Sequence, residues 1–543
     1  MSNSALKDLS AWLLAASLLL AVAGARCADG QAARFGDQGN GTFLNPILPA
    51  DYSDIDAIRV GPEYFAISST FQYSPGMVVL RSRDLVNWET VGHVVSDLTR
   101  ISPEMNWDRM NRAGTGIWAG AIRYHAGRFW VYFGTPDEGY FMSSASQATG
   151  PWAPVSQVLK GSGWDDPCVF WDDGGQGYLV GTRYAEDPKD GIPYKVHLFK
   201  LTADGKELEP GFDAVIHQSA GSEANKLYKW NGLYYHYFSE VKPEGRVAIM
   251  GRSRRIDGPY EDRQLNHVNP EVDREPNQGG FIQTEEGGWW FVTHQGTGAW
   301  EGRAMCLLPV TWKDGWPIIG AVGADGIGAM VWRARKPISG FPPAPRHFVD
   351  EFSGKRLGPA WEWNYQPREE KWSLTARPGW LRLAAFRPLE PGNLLKAGNI
   401  LTQRVVNSGG GAVTVKIDVA HMTDGQVAGL CHYGAHYGWL GIAQAGGVRR
   451  IAYSANGRQV AGPAVSTGDV WLRSIISSAG NTTWAFSLDG RSFTPFGEPY
   501  AFEWAHYRGD RIGIFTYNDQ ADAGWVDVDW FRYDFDGTDQ PHP

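Results

Sequence analysis

The clearest pattern along the chain is a hairpin motif that occurs five times in the first three hundred residues. Each copy has an apolar strand, a turn containing glycine or asparagine, and a second strand rich in aromatic residues. An aromatic residue in each second strand recurs at intervals of roughly 50–65 residues, the size of a four-stranded blade with variable loops. These five residues are Tyr64, Phe129, Tyr178, Tyr234 and Trp289. The pattern predicts a five-bladed β-propeller over residues 35–335; an open β-sandwich with hairpins that are alike by chance is the alternative.

The alternation of apolar and polar residues stops after this region and then resumes. Residues 336–347, KPISGFPPAPRH, are rich in proline and predict a linker. Beyond it, seven alternating segments such as AVTVKIDV and WVDVDWFRYDF are separated by turn residues and show no helical period. They predict an antiparallel β-sandwich over residues 348–543. The expected fold class is therefore all-β, a five-bladed β-propeller followed by an antiparallel β-sandwich.

The first 28 residues have the pattern of a secretory signal peptide. Lys7 is followed by an uncharged, mostly apolar run and then by small residues suited to cleavage. The run is marginal for crossing about 30 Å of hydrocarbon, so an uncleaved anchor is the alternative. We expect a secreted or periplasmic protein that is not attached to a membrane once the signal is removed. A net charge of −9 argues against nucleic acid as a partner.

Candidate chemistry lies just before the five aromatic residues. The first strand of a propeller blade starts near the central axis, so residues ten to twelve positions before each aromatic residue are expected to converge. The five residues at these positions are Asp54, Trp118, Asp166, Glu223 and Gln278. Buried carboxylates repel each other and lose hydration, so three acids in one register indicate a function. Strand alternation favours Asp166 over its neighbour Asp165 but does not separate Asp54 from Asp56.

Three converging acids suit the cleavage of a glycosidic bond. One carboxylic acid protonates the leaving oxygen, and one carboxylate activates water or attacks the sugar. A third acid nearby keeps the donor protonated through like-charge repulsion. A retaining fructan hydrolase is one alternative, although its Asn-Asp-Pro signature is missing from this sequence. A noncatalytic carbohydrate-binding propeller is another, and it would gain nothing from three buried acids.

Several segments resemble glycoside hydrolase family 43. They are NPILPADYSDIDAIRV, GIWAGAIRYHAGRFWVYF, GWDDPCVFW and SEANKLYKWNGLYYHYF, in the family's order. The resemblance implies that Asp54 is the general base, that Asp166 tunes and orients the donor, and that Glu223 is the general acid of an inverting mechanism. The family usually has proline after the base aspartate, whereas Ile55 follows Asp54 here, so the local turn is expected to be less rigid.

The resemblance also implies how the sugar is bound. Arg303 matches an arginine that contacts the sugar in the deep subsite, and Phe71 and Trp118 match its apolar walls; Gln278 joins them by its register. The implied substrate is a plant polysaccharide or oligosaccharide, from which xylose or arabinose units are removed. Whether the enzyme is a β-xylosidase or an α-L-arabinofuranosidase stays open, and catalysis is expected to need no cofactor.

The second domain resembles the concanavalin-like jelly roll attached to many family members. The segments FVDEFSGKRLGPAWEWNYQP and GQVAGLCHYGAHYGWLGI carry this resemblance. It implies a sandwich that packs on the propeller, lends a loop to the pocket rim and holds a structural calcium ion. Asp350, Glu351 and Asp529 are the candidate oxygen ligands; the alternative for these acids is a solvated sheet edge or turn.

Overall fold

The computed structural model describes residues 35–185, 187–268, 278–295, 299–455, 457–466 and 468–535. The predicted signal peptide, residues 1–28, lies outside them. Within these ranges the chain forms β-strands and four short 3-10 helices, and it has no α-helix. No helix in the same ranges has the length and apolar character needed to cross a membrane. The four 3-10 helices are Leu98–Arg100, Pro103–Met105, Glu369–Lys371 and Leu394–Lys396. The all-β prediction is confirmed.

Apart from Tyr73–Ser74, the described strands between residues 56 and 319 form five antiparallel sheets of four strands each. The first sheet contains Asp56–Val60, Glu63–Ser68, Gly76–Ser82 and Trp88–Val95. The second contains Gly120–His125, Arg128–Thr135, Gly139–Ala145 and Ser156–Lys160. The third contains Trp164–Trp171, Gly177–Tyr184, Tyr194–Leu201 and Leu208–Ser219. The fourth contains Ser222–Trp230, Leu233–Lys242, Gly245–Ser253 and Glu261–Gln264. The fifth contains Gly279–Gln283, Trp289–His294, Met305–Lys313 and Trp316–Ile319.

The five hairpins seen in the sequence are the first two strands of these sheets. Their turns explain the composition of the motif. In the fourth sheet Trp230 pairs with Leu233 across a two-residue loop. Both loop residues, Asn231 and Gly232, have positive φ angles of 51° and 77°. An Asn-Gly loop accepts this geometry with little strain and matches the twist of the flanking strands.

A buried group of side chains links the first strands of all five sheets. Arg123 donates to Asp56 Oδ2 at 2.6 Å and to Cys168 Sγ at 3.0 Å. Its guanidinium also lies 5.5 Å from the centre of the Tyr228 ring. The Tyr228 hydroxyl accepts from the backbone N–H of Phe281 at 3.2 Å. One cation therefore ties the first sheet to the second, third and fourth, and Tyr228 extends the link to the fifth.

The C-terminal part forms two larger antiparallel sheets. One contains His347–Asp350, Trp372–Ser373, Leu381–Ala384, Gly410–Asp418, Asp469–Ser477, Asn481–Ser487, Thr494–Pro495, Tyr500–Ala501 and Trp525–Asp534. The other contains Tyr73–Ser74, Glu362–Asn364, Leu401–Arg404, Gln426–Tyr433, Tyr437–Ala445, Val448–Ala455, Arg458–Ala464 and Arg511–Asn518. Alternate residues such as Val413, Val415 and Ile417 are fully buried in the shared apolar core. Burial of each such side chain stabilises the fold by about 1.5–3 kcal/mol.

The two parts of the chain share backbone pairing. The short strand Tyr73–Ser74 comes from the first part, yet it pairs with Glu362–Asn364 at the edge of the second sandwich sheet. Near the N-terminus, Gly36–Asp37 and Thr42–Leu44 pair with Arg333–Arg335, and Ala321–Val322 pairs with Gly328–Ala329. The described residues from Phe35 onwards form one compact unit. The boundaries at 335 and 348 therefore stay predictions of the sequence.

Candidate active site

Three carboxylates meet where the third and fourth sheets begin. Oxygen atoms of Asp165, Asp166 and Glu223 lie within 4.8 Å of one another. From the start of the fifth sheet, Gln278 donates from Nε2 to Asp166 Oδ1 at 3.2 Å. Arg246 lies 3.2 Å from Glu223 Oε1. The structure thus brings together three of the five residues that share a register in the sequence.

Two β-bulges aim these acids at each other. Asp166 has a φ of 48° and lies where two residues of the third sheet's first strand oppose one on its partner. Ala224, next to Glu223, has a φ of 66° in the equivalent bulge of the fourth sheet. The backbone N–H of Ala224 donates to Asp166 Oδ2. Bulges redirect side chains and are common beside active sites.

The bulge also explains why Asp165 joins the group. Simple alternation predicts that neighbours point to opposite faces of a strand, which favoured Asp166 alone. The extra residue interrupts that alternation, and Asp165 Oδ1 accepts the backbone N–H of Asp166 at 2.8 Å. Both aspartates therefore contribute oxygens to one cluster, and alternation is no basis for setting Asp165 aside.

Asp54 lies near this cluster and is held from three directions. Arg303 donates from Nη1 to Asp54 Oδ1 at 2.7 Å, and the Ser69 hydroxyl donates to Oδ2 at 2.6 Å. The backbone N–H of Asp54 donates to His294 Nδ1 at 3.0 Å. The φ of Asp54 is 57° and its side chain is almost fully buried. Asp56 instead accepts a hydrogen bond from Arg123 in the buried group that links the sheets. The structure therefore distinguishes Asp54 from Asp56, a choice that the sequence alone did not settle.

Burial and mutual repulsion hold protons on this cluster. Burial, followed by the charges of Asp166, Glu223 and Asp54, raises the pKa of Asp165 well above its usual range. Burial and the charge of Glu223 raise the pKa of Asp166 to about 7, although the Lys226 ammonium opposes this shift. Lys226 is itself fully buried. A carboxylic acid beside carboxylates can thus keep a proton close to neutral pH.

His294 and Arg246 are site residues that sequence reasoning missed. Burial, and then the charge of Arg303, lowers the pKa of His294 well below its usual range, so the ring is neutral. Because Nδ1 accepts from Asp54, we assign the ring hydrogen to Nε2, which has no acceptor in the described part of the chain. Counting back from the aromatic residues finds only positions at the start of the first strand of each sheet. His294 lies at the end of the second strand of the fifth sheet, and Arg246 lies on the third strand of the fourth sheet, so neither is found in this way.

Phe71 and Trp118 lie beside each other, as walls of one pocket would. The backbone of Phe71 exchanges two hydrogen bonds with Ile117, of 2.9 and 3.0 Å, next to Trp118. The Trp118 ring is half-buried and donates from Nε1 to Gly114 at 3.3 Å. The Phe71 ring is 2% exposed, and the Arg508 guanidinium of the sandwich lies 4.4 Å from its centre. Arg508 therefore contacts Phe71 directly.

A sandwich loop reaches the same place. The Arg303 guanidinium lies 5.4 Å from the Tyr507 ring and 5.9 Å from the Trp504 ring. Tyr507 is 56% exposed and has a φ of 62°. An exposed aromatic ring is thus presented next to the arginine that binds Asp54.

The three residues predicted to bind calcium have other partners. Asp350 accepts from the Phe352 N–H at 2.8 Å and from Trp361 Nε1 at 2.7 Å. Glu351 pairs with Arg532 at 3.1 Å, and Asp529 pairs with Lys416 at 2.8 Å. In the described ranges they do not form an acidic group of the kind seen at Asp166. These partners use the oxygens that calcium would need, so the contacts do not favour the predicted site.

Clustered acids supplied by separate β-sheets, with protons held near neutral pH, define an acid–base site of the glycosidase type. Residues 43–317 match Glycosyl hydrolases family 43, and residues 349–534 match the Beta xylosidase C-terminal Concanavalin A-like domain. The chain belongs to glycoside hydrolase family 43, and the predicted family and sandwich type are confirmed.

Named relatives agree with this membership. A beta-xylosidase of Formosa agariphila is 36% identical, over 94% of this chain and 93% of the relative. A non-reducing end alpha-L-arabinofuranosidase of Bacteroides ovatus is 32% identical, over 63% of this chain and 65% of the relative. The structure of a bifunctional GH43-CE protein of Bacteroides eggerthii superposes with a TM-score of 0.81 at 28% identity. That match covers 93% of this chain and 64% of the longer protein.

Proposed function

We propose that this glycosidase removes xylose or arabinose units from xylo-oligosaccharides or arabinoxylan, with inversion at the anomeric carbon. The observation that carries the proposal is the grouping of the acids. Asp166 and Glu223 lie in one tight cluster with Asp165, whereas Asp54 is outside that cluster and is held by Arg303 and Ser69. Inversion is the outcome expected of family 43, and it requires the acid and the base to be far enough apart for a water molecule to lie between the base and the sugar.

Each carboxylate has its own role in the proposed reaction. Glu223 donates a proton to the leaving oxygen, and Asp54 accepts a proton from the water that attacks the opposite face of the sugar. Asp166, whose pKa is about 7, faces Glu223 and sets its charge environment. Arg303 orients Asp54 through its hydrogen bond, and a planar guanidinium at this place suits contact with sugar hydroxyls.

The substrate class is supported by the relatives. Both a beta-xylosidase and an alpha-L-arabinofuranosidase are similar to this chain. D-xylopyranose and L-arabinofuranose present similar hydroxyls to one pocket, so a dual specificity fits the same residues. The half-buried ring of Trp118 suits the apolar face of a pentose.

The proposal includes the finer predictions of architecture and location. The five four-stranded sheets, linked through Arg123 and Tyr228, are the blades of one propeller with the acids at its axis. The pattern of residues 1–28 supports export from the cytoplasm. A structural calcium ion stays a prediction of the sequence resemblance alone.

Proton NMR of an arabinoxylan digest tests the proposal. The first spectra identify the released sugar and its anomer together. We expect free pentose with the anomeric configuration opposite to that of the bond cleaved. Retention would instead indicate that Glu223 and one of its close neighbours act as an acid and nucleophile pair, as in the fructan-hydrolase alternative. Binding of xylan without release of any pentose would indicate a noncatalytic propeller.

A further inference from the structure

A cavity distinct from the candidate active site lies between the first sheet, the linker and the sandwich. It has a volume of about 200 Å³, and the acids of the candidate active site do not line it. Its walls include the aromatic rings of Tyr52, Trp88, Phe348 and Tyr533. It is a separate cavity, and the reaction proposed above does not use it.

The size of this cavity selects a small ligand. Pockets for drug-sized molecules usually exceed about 300 Å³. An apolar cavity of about 150 Å³ holds one benzene ring. A cavity of about 200 Å³ therefore accommodates one six-membered ring that carries a few small substituents.

Polar groups in the wall indicate that those substituents are hydroxyls. Gln403 lines the cavity and is 8% exposed, and its Nε2 has no acceptor among the residues that the structure describes. Arg404 and Asn87, also in the wall, have acceptors. Arg404 donates to the Asp51 carbonyl at 2.7 Å and to Glu362 at 2.9 Å, and Asn87 donates to Asp84 at 2.6 Å. A buried donor without an acceptor is rare and is matched by a ligand oxygen or water.

We propose that this cavity, which we name the Gln403 cavity, binds one neutral pentose ring, with Gln403 Nε2 donating to a ring hydroxyl. Aromatic walls suit the apolar faces of a sugar and leave its hydroxyls to the amide. The charged wall residues have partners within the protein: Asp37 is paired with Lys336, Arg404 is paired with Glu362, and Arg346 donates to the carbonyls of Phe35 at 3.1 Å and Asp37 at 3.3 Å, so a neutral ligand fits better than an ion. The choice of a pentose rests on the proposed function, since that reaction releases one.

The cavity touches the candidate active site through the backbone. The Tyr52 ring lies 4.6 Å from the Arg404 guanidinium, and the Tyr52 N–H donates to the Arg303 carbonyl at 3.1 Å. Tyr52 also precedes Asp54 by two residues. A pentose in the cavity would therefore contact the segment that carries the base.

Saturation-transfer NMR with D-xylose tests the site in the full-length chain. The Arg303→Ala background weakens sugar binding at the acids, so the remaining transfer reports the second cavity. Ala344, an exposed wall residue, is replaced by tryptophan to block the opening. Ala376→Trp is the matched control, because Ala376 is also exposed and its N–H also donates to a side chain but it does not line the cavity.

We expect the D-xylose signal to persist in Arg303→Ala, to be lost on adding Ala344→Trp, and to be unchanged on adding Ala376→Trp. Gln403→Leu keeps the shape but removes the donor, and we expect it to weaken binding about five- to tenfold. Equal signals in the Ala344→Trp and Ala376→Trp proteins would overturn the proposal, as would loss of all signal in Arg303→Ala. Pentose release by the wild type is scored separately, so a failed reaction and a failed cavity site are distinguishable.

Discussion

Arg508 of the sandwich donates from Nε to Asp51 Oδ2 at 2.6 Å, and both side chains are buried. Asp51 Oδ1 accepts from the Ser53 hydroxyl at 3.1 Å, and the Ser53 carbonyl accepts from the Ser69 N–H at 3.1 Å. The Ser69 hydroxyl in turn donates to Asp54. A continuous series of hydrogen bonds therefore runs from the sandwich to the proposed base.

Arg508→Met should damage both stability and turnover. The substitution leaves Asp51 buried without its main partner, and loss of one member of a buried pair lowers the free energy of unfolding by about 3–5 kcal/mol. We also expect kcat to fall because the substitution removes the first member of the hydrogen-bond series that holds Asp54 in place. Chemical denaturation and steady-state kinetics measure the two effects. Arg532→Ala, which breaks the exposed pair with Glu351, is the control and should cost about 1 kcal/mol or less. Equal stability of the two variants would contradict the prediction.

Ser69→Ala should lower kcat by about tenfold, the effect of losing one hydrogen bond to a charged group. The serine hydroxyl contacts Asp54 Oδ2 directly, so its loss frees the carboxylate to rotate. The fold should tolerate the change. Ser143→Ala is a matched control, since its buried hydroxyl donates at 2.6 Å to the Ala153 carbonyl away from the acids. If both variants lose activity equally, Ser69 has only a structural role.

Glu223→Gln should reduce hydrolysis of xylobiose by about 10²–10⁴-fold, the usual contribution of a general acid. The loss should be much smaller for an aryl pentoside whose leaving group departs without protonation. Comparing kcat on the two substrates separates proton donation from binding. Glu261→Gln, which alters an exposed glutamate paired with Arg252 in the same sheet, should leave both rates unchanged. A uniform loss on both substrates would count against the assigned role.

Asp166→Asn should stabilise the protein more at pH 8 than at pH 4.5. The pKa of Asp166 rises from 3.8 to about 7 on folding, so the folded chain holds a proton that the unfolded chain releases. That difference lowers wild-type stability as pH rises through this window, and the amide removes it. The gap between the variant and wild-type melting temperatures should therefore shift in favour of Asp166→Asn between pH 4.5 and 8. Asp314→Asn, on an exposed turn, provides the control; a gap independent of pH would contradict the shifted pKa.

The sequence predicted the features that depend on local pattern. Repeated hairpins located the first two strands of each sheet, because aromatic and β-branched strands joined by Gly or Asn turns are a short-range signal. Counting back from the aromatic residues then reached Asp54, Asp166 and Glu223. A shared register is enough to find residues that begin equivalent strands.

Contacts between distant segments were not predictable in this way. The bulge at Asp166 adds one residue to a strand, and no composition signal distinguishes it from regular alternation before the partner strand is known. Arg508 reaches Asp51 across 457 positions, and His294 reaches Asp54 across 240. The calcium prediction was based on the family resemblance. In the structure, two of the three predicted ligands instead form ion pairs, Asp529 with Lys416 and Glu351 with Arg532.

The strand Tyr73–Ser74 belongs by sequence to the catalytic half but by hydrogen bonding to the sandwich. Dividing the gene at the linker would leave that strand without its partner strand. Each fragment would then expose unpaired backbone N–H and C=O groups, which promote aggregation. Replacing the sandwich with another carbohydrate-binding domain would therefore remove strand pairing that the catalytic part needs. In a truncated or domain-exchanged form of this enzyme, the pairing of Tyr73–Ser74 with the sandwich would have to be replaced by a redesigned contact.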